Sequence, residues 1–332
     1  MSFIKCAYST VGKVSVQDSK VIWKTTAVEE GVRLETFVRQ HLPHLSRRQS
    51  AKAIEENAFS VNGRRGTKGR RLKQGDLVIF HGADHWLSNS PVAAKDGRVS
   101  IAYEDADIIV VDKPAGIATH GFSGRDVDTL ANRLIARWPE LISIGKTRWE
   151  PGLLNRLDTE TSGLVLVAKN QPAFENLREQ FRRRRIAKKY FALVWGNPSN
   201  SGSISLALAH DSTDKSRMEV VAASGANRHR LRSWHALTRF RKLANSGQMS
   251  LLEISMETGV THQIRVHLAA IGHPIVGDSL YASERDPTEL WRHFLHACRL
   301  EFFHPASGLR IDVGSPLPSE LSNFLKRMEI VA

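Results

Sequence analysis

Asn155-Arg156-Leu157-Asp158-Thr159-Glu160-Thr161-Ser162-Gly163 runs straight into Leu164-Val165-Leu166-Val167-Ala168-Lys169, and this junction decides the fold. The second half is a short, continuous run of aliphatic residues, the pattern of a strand buried on both faces. The first half is polar and carries Asp158 in a loop that feeds the strand. Loops anchored on a rigid core are where reactive groups commonly sit. On composition alone, an aspartate that merely caps a turn fits the same residues.

Downstream of the junction, Asn170 can cap a helix that buries Phe174, Leu177 and Phe181, and residues 190–195 and 251–256 are further strands. Residues 261–271 form a short helix closed by Gly272. Upstream, the apolar run 108–111 ends at Lys113-Pro114, and Leu130, Leu134 and Trp138 share a helical face stopped by Pro139. Strands and helices do not alternate strictly. An α+β domain over residues 99–332 is therefore expected, with a mixed or antiparallel sheet flanked by helices rather than a doubly wound one.

Residues 84–98 are polar, contain Pro91 and Gly97, lack periodicity and read as a linker. Before them, residues 31–83 read as a small module. Leu34, Phe37, Val38 and Leu42 follow helical spacing, and Pro43 stops that helix. Ser46 with Gln49 three residues on predicts a capping box opening a second helix. Phe59 and Val61 alternate as a strand, Asn62-Gly63 is a tight turn, and Gly75-Asp76 precedes a strand over 77–80. Residues 1–30 form an irregular or strand-bearing lead-in.

Of the 332 residues, 41% are hydrophobic and 24% charged, which excludes wholesale disorder and allows a sizeable core. Two cysteines, Cys6 and Cys298, exclude a disulfide framework or a cysteine-rich zinc module. No apolar run approaches the roughly 20 residues that span a bilayer, and the N-terminus lacks the apolar core of a signal peptide, so a cytoplasmic protein is expected, with no membrane partner. The formal net charge is +13, of which residues 1–100 carry +8. Arg47, Arg48, Lys52, Arg64, Arg65, Lys68, Arg70, Arg71 and Lys73 crowd into 46–73, opposed only by Glu55 and Glu56. So local a density points to a polyanion, and specifically to nucleic acid, because neutralised phosphates release counterions.

The loop around Asp158 is similar to the R-L-D-x-x-T-S-G-L signature of the RluA-type pseudouridine synthases. Asp112-Lys113-Pro114-Ala115-Gly116 and Lys188-Lys189-Tyr190-Phe191-Ala192-Leu193-Val194-Trp195-Gly196 resemble two more of that family's segments. So does Thr258-Gly259-Val260-Thr261-His262-Gln263-Ile264-Arg265-Val266-His267-Leu268, which runs on to Gly277-Asp278 and Tyr281. Leu295-His296-Ala297, Leu300, Phe302 and His304-Pro305 match its C-terminal strand. The resemblance covers about 99–320 in the family's order. Residues 31–82, in Arg33-Leu34, Ser46-Arg47, Val61-Asn62-Gly63 and Gly75-Asp76, resemble the small α-L RNA-binding domain named for ribosomal small-subunit protein S-four.

The resemblance implies isomerisation of uridine to pseudouridine in structured RNA, with ribosomal RNA favoured over transfer RNA, by a monomer. It gives Asp158 the catalytic role, pairs Arg265 with it and sets Tyr190 beside the uracil. Arg156, Lys188, His262 and Gln263 are expected to touch RNA, as are Arg47, Arg48, Lys52, Arg64, Arg65, Arg70 and Arg71 of the module. Two positions depart from the family pattern: Asn155 stands in place of a usual histidine, and Val260 in place of a usual cation. Detaching uracil, turning it and rejoining it through carbon 5 changes no oxidation state and loses no atom, so neither cofactor nor metal is required. His262 with His267 and His293 with His296 miss the four-residue spacing of a zincin motif, and 63–69 lacks a phosphate-loop pattern. Arg182 to Arg185 form a basic run that is either a solvated helix end or a contact to RNA backbone. Two rival functions remain on sequence grounds: a non-catalytic RNA-binding protein on the same scaffold, and a glycoside hydrolase with Glu160 as its second acid.

Overall fold

In the first of two compact units, which extends to Ser90, Trp23, Leu34, Phe37, Val38, Ile54, Phe59, Val78 and Phe80 pack into one apolar core. The computed structural model describes residues 14–17, 20–82, 86–87, 90–121, 126–214, 216–221, 232–282, 288 and 290–330. Cys6, the lead-in up to residue 13 and Asp84 of the expected linker lie outside them. Strands Val14–Gln17 (β1), Lys20–Lys24 (β2), Phe59–Val61 (β3), Arg64–Arg65 (β4) and Leu77–Phe80 (β5) form an antiparallel sheet in the order β1-β2-β5-β3-β4. Helices Leu34–His41 (α1) and Arg47–Glu55 (α2) accompany it. The Ser46–Gln49 capping box forms with both of its hydrogen bonds, at 3.2 and 2.8 Å. Asn62 and Gly63 both take left-handed φ, 50° and 74°, as a two-residue hairpin turn requires. Part of the lead-in belongs to this core, since Trp23 on β2 is buried in it, and so is Trp86 from within the expected linker.

The second unit begins at Pro91. Its strands are Ser100–Glu104 (β6), Ile108–Lys113 (β7), Ser162–Ala168 (β8), Ala187–Trp195 (β9), Ser201–His210 (β10), Met218–Val220 (β11), Ser233–Ser246 (β12), Met249–Met256 (β13), Leu295–Phe303 (β14) and Arg310–Gly314 (β15). They make one sheet in the order β11-β10-β12-β13-β9-β14-β8-β7-β6, with β15 also pairing β14. The pairs are antiparallel except β14 with β8. With helices Leu130–Arg137 (α3), Gln171–Arg182 (α4), Gln263–Ala270 (α5) and Ser319–Arg327 (α6), this is the expected α+β fold.

All seven residues of β8 are buried, as the aliphatic run 164–168 predicts. Helix α4 lies against β8 through Phe174 and Leu177, and the Asn170 carboxamide oxygen caps it by accepting the Ala173 N–H at 2.9 Å. Helix α5 lies against β10, β11 and β12, where Leu208, Met218, Ala236 and Val266 form a small second cluster. The chain thus brings α5 from one part of the sheet to the loop that enters β8. No helix among the described residues is long and apolar enough to cross a membrane.

Candidate active site

The loop that carries Asp158 is fixed through its backbone. Thr119 Oγ1 donates to the Leu157 carbonyl at 2.7 Å and accepts the Leu157 N–H at 3.0 Å. The Lys113 ammonium and the Gly116 N–H both reach the Thr159 carbonyl, at 3.2 and 2.9 Å. Arg292 holds the Glu160 carbonyl at 2.9 Å, and His293 Nε2 meets Thr161 Oγ1 at 2.7 Å. Asn155, the first departure from the family pattern, accepts the Leu166 N–H of β8 at 2.8 Å with its carboxamide oxygen, so its side chain ties the loop to the core strand. With this many bonds to rigid elements the direction of the Asp158 side chain is set before any ligand arrives.

Arg265 on α5 stands behind Asp158 and donates to Asp158 Oδ2 through Nη1 at 3.1 Å. Its Nε and Nη2 clasp both oxygens of Asp278, each at 2.8 Å. The Asp158 side chain is 26% exposed, Arg265 7% and Asp278 0%, so one buried guanidinium links a reachable carboxylate to a sealed one. Burial alone would push Arg265 toward neutrality; Asp278, and after it Asp158, outweigh that and raise its pKa. Burial likewise works to raise the pKa of Asp278, and the Arg265 hydrogen bonds outweigh it and lower it.

His262, in left-handed backbone at φ 54°, turns Nε2 to within 3.8 Å of Asp158 Oδ2. Burial lowers its pKa, against the pull of Asp158. Its Nδ1 lies 2.8 Å from the Tyr281 hydroxyl, which itself accepts the Met218 N–H at 2.9 Å. In the tautomer that carries its proton on Nε2, Nδ1 accepts from the Tyr281 hydroxyl and the N–H faces the carboxylate.

Asp158, Tyr190, Lys188, Arg156 and His262 line one cleft of about 1660 Å³. Tyr190 is 4% exposed, and burial together with the charge of Asp158 raises its pKa, so its phenol keeps its proton. Lys188 donates to the Thr258 carbonyl at 3.1 Å, with burial pushing its pKa down to about 8. Arg156 is half exposed, its Nη1 donating to His120 Nε2 at 3.0 Å. Gln263 stands apart from the other expected RNA contacts. It is buried, accepts from Thr258 Oγ1 and the Val260 N–H, and donates to the Leu237 carbonyl and Thr238 Oγ1, so its amide bonds are made inside the protein. Val260 packs against the small cluster around Val266 and Tyr281.

In the first unit, Arg47, Arg48 and Lys52 lie on α2, Arg64 and Arg65 on β4 beside the hairpin turn, and Arg70 and Arg71 on the turn beyond. Arg47 meets Glu35 at 3.2 Å, Arg65 the Glu55 carbonyl at 3.1 Å and Arg71 the Gly31 carbonyl at 2.8 Å, while all but the half-buried Arg70 are exposed.

Asp105, Asp107 and His304 come close enough together to hold an ion. The His304 ring is already engaged, however: Nε2 donates to Asp105 at 2.9 Å and Nδ1 accepts the Ala306 and Ser307 N–H groups. The other paired histidines are structural in the same sense. His267 bonds Thr238 and the Leu206 carbonyl, and His296 bonds Ser162 and Ser315, both fully buried. Asp278, Tyr281 and Thr119 received no role from the sequence. The signal for the first two lay in the Gly277-Asp278 and Tyr281 run, but their partners are set by tertiary packing.

A family model described as RNA pseudouridylate synthase matches residues 107–270, and an S4 domain model matches 32–78. The chain is 35% identical over 298 residues to a Synechocystis protein named as an uncharacterised RNA pseudouridine synthase, covering 89% of this chain and 88% of that one. It is 33% identical over 303 residues to the ribosomal large subunit pseudouridine synthase D of Nitrosomonas europaea, covering 89% and 84%. Among solved structures it resembles human RNA pseudouridylate synthase domain containing 1, with a TM-score of 0.56 and 28% identity over 69% of this chain and 88% of that one. The chain belongs to the RNA pseudouridine synthases of the RluA family, with an S4 domain ahead of the synthase fold.

Proposed function

We propose that Asp158 is the reacting carboxylate of an RNA pseudouridine synthase that acts on ribosomal RNA, on a uridine flipped out of its strand into the cleft. The observation that carries this is the Asp158–Arg265 pair at 3.1 Å on the wall of a cleft that Tyr190 also lines. The reaction breaks the bond between ribose carbon 1′ and uracil nitrogen 1, turns the base and joins carbon 1′ to carbon 5. The proton on carbon 5 leaves and nitrogen 1 is protonated, so the atoms balance without a cofactor. An ionised carboxylate can open this sequence as nucleophile or as base. Arg265 orients that carboxylate through its 3.1 Å hydrogen bond, and the protonated Tyr190 offers its ring to the base and a hydroxyl for proton transfer. Flipping costs a few kcal/mol, least where the uridine is unpaired, which favours a loop or junction target.

Ribosomal RNA is favoured over transfer RNA because two of the relatives are named for the large ribosomal subunit and the basic module suits a large folded substrate. As the second acid of a glycoside hydrolase Glu160 is poorly suited, since its carboxylate faces His293 at 3.1 Å. The test is tritium release from cellular RNA labelled at uracil carbon 5. Wild type is expected to release label, and Asp158→Asn to release none while still binding RNA. A silent wild type replaces the enzyme by an RNA-binding protein, and free uracil among the products would point to hydrolysis instead.

A further inference from the structure

Beyond Asp158 the same cleft is lined by Arg178 and by Arg182 and Arg184 of the basic run, with Glu175, Glu179 and Glu257 between them. We propose that Arg178, Arg182 and Arg184 form a phosphate rail that guides the backbone of the RNA strand past the reacting carboxylate. This rests on the reading of the protein as an RNA-acting enzyme and names where the strand runs. Phe174, Arg178, Phe181 and Arg182 line the cleft from α4, at the three- and four-residue steps that share one helix face, with Glu175 and Glu179 lining it beside them. Arg178 and Arg182 are therefore one turn apart, a step commensurate with successive phosphates along a strand. Both stand in the second half of the helix, where its dipole favours cations.

Arg184 carries the rail off the helix end. It sits just beyond the C-cap in left-handed backbone, φ 55°, at the position where glycine is the usual occupant. Glu329 adopts the same backbone after α6, so the conformation alone does not mark a site. The difference is where the side chain goes, because Arg184 lines the cleft. Its guanidinium lies 3.7 Å from Glu257, the residue before Thr258, whose carbonyl receives Lys188. Thr258 begins the segment that leads to His262, 3.8 Å from Asp158. The three arginines thus line the cleft that also holds Asp158.

The existing partners of these arginines leave room for phosphate. Arg178 makes no ion pair among the described residues, its guanidinium carbon resting 5.6 Å from the Phe174 ring centroid. Arg182 pairs with Glu179, which Arg183 shares, and Arg184 with Glu257, which Arg239 hydrogen-bonds, with every partner more than a third exposed. Such exposed pairs hold weakly, and an incoming polyanion displaces them with release of counterions. Glu257 stands between Arg184 and Arg239, and its carboxylate competes with RNA for both.

The experiment measures the affinity of the full-length protein for a short fluorescein-labelled oligouridylate by anisotropy over a range of salt concentrations. Arg178→Gln and Arg184→Gln are each expected to make the slope of log affinity against log salt shallower by about 0.7, the value for one phosphate on a single strand. Glu257→Gln is expected to tighten binding severalfold, a direction that damage to the fold does not produce. Arg137→Gln, a surface arginine outside the cleft, is expected to leave the slope alone. Unchanged slopes in both arginine variants, weaker binding by Glu257→Gln, or an equal effect of Arg137→Gln would each overturn the rail. These outcomes separate from the underlying reading. Slopes that do not move while wild type still releases tritium sink the rail alone, whereas a wild type that releases none sinks the assigned reaction.

Discussion

Arg265 gives two of its N–H groups to Asp278 and one to Asp158, and this division bears on how Asp158 would work as the proposed reacting acid. When a carboxylate attacks carbon 1′ or takes a proton, its negative charge is lost. A buried guanidinium balanced only by that carboxylate would be left unpaired at the moment of reaction, at high cost. Asp278, fully buried and bonded through both oxygens, stays charged throughout and keeps Arg265 both neutralised and still. Asp278→Asn keeps the shape and removes the charge. It is expected to destabilise the fold by about 3 kcal/mol, as for other broken buried pairs, measured by urea unfolding. In protein still folded, tritium release should slow by about tenfold or more, about 1.4 kcal/mol in the barrier, with oligouridylate affinity retained. A loss confined to stability would make Asp278 a fold residue only. The two acids also show what sequence reveals at this scale. Asp158 was legible because its neighbours in the chain form a signature. Asp278 was not, because its meaning comes from a guanidinium thirteen positions earlier on another element, and Gln263 read as an RNA contact until its buried partners were seen.

Among the elements, the parallel pair of β8 with β14 sets the depth at which the loop carrying Asp158 enters the core. Gly163 is paired with Ala297, at φ 114°, and a Cβ there would come within 2.2 Å of the Ala297 carbonyl oxygen and 2.6 Å of its nitrogen. Next to it, Ser162 Oγ meets His296 Nδ1 at 2.9 Å, so serine and glycine together lock the two strands. Gly163→Ala must therefore push β14 away. A loss of about 3 kcal/mol or more is expected, at the upper end for overpacked sites. Gly272 after α5 is the control, since it also has positive φ, 81°, but nothing within 4 Å of an added Cβ. Gly272→Ala is expected to lose only about 1 kcal/mol, the conformational part. Equal unfolding midpoints for the two variants would contradict the close approach. Elements with strong periodicity or a continuous apolar run, such as α4 and β8, were legible in the sequence, and α5 by the Gly272 that closes it. Strands β10 and β12 were not. Along β12, Ser233, His235, Arg239 and Arg241 are exposed while Ala236, Thr238 and Phe240 are buried, so half of its residues look like loop until a helix covers the other half.

Over the whole molecule, positive charge is concentrated in one unit and chemistry in the other. Each unit has its own apolar core, one around Trp23, Phe37 and Phe59, the other around β7, β8 and β9. This supports separate folding. The first unit carries the dense run of cations on α2, β4 and the turn beyond, and residues 1–100 account for +8 of the net +13. Sequence made this division visible as a charge gradient, because surface cations need no tertiary partner to be counted. Removal of residues 1–90 is expected to leave a folded protein that still isomerises short uridine-containing oligonucleotides. Its affinity for ribosomal RNA fragments should fall and the salt dependence should become shallower, since each lost phosphate contact takes about 0.7 to 0.9 from the slope. If the module and the cleft wall contact different phosphates, their contributions to that slope add. The truncated protein carrying Arg184→Gln should then lose a further 0.7 or so, the same increment as in the full chain. An unchanged slope after truncation would mean that the cationic run is a solvated face, and a vanishing increment would mean that the arginines of the cleft bind RNA only when the module has already done so.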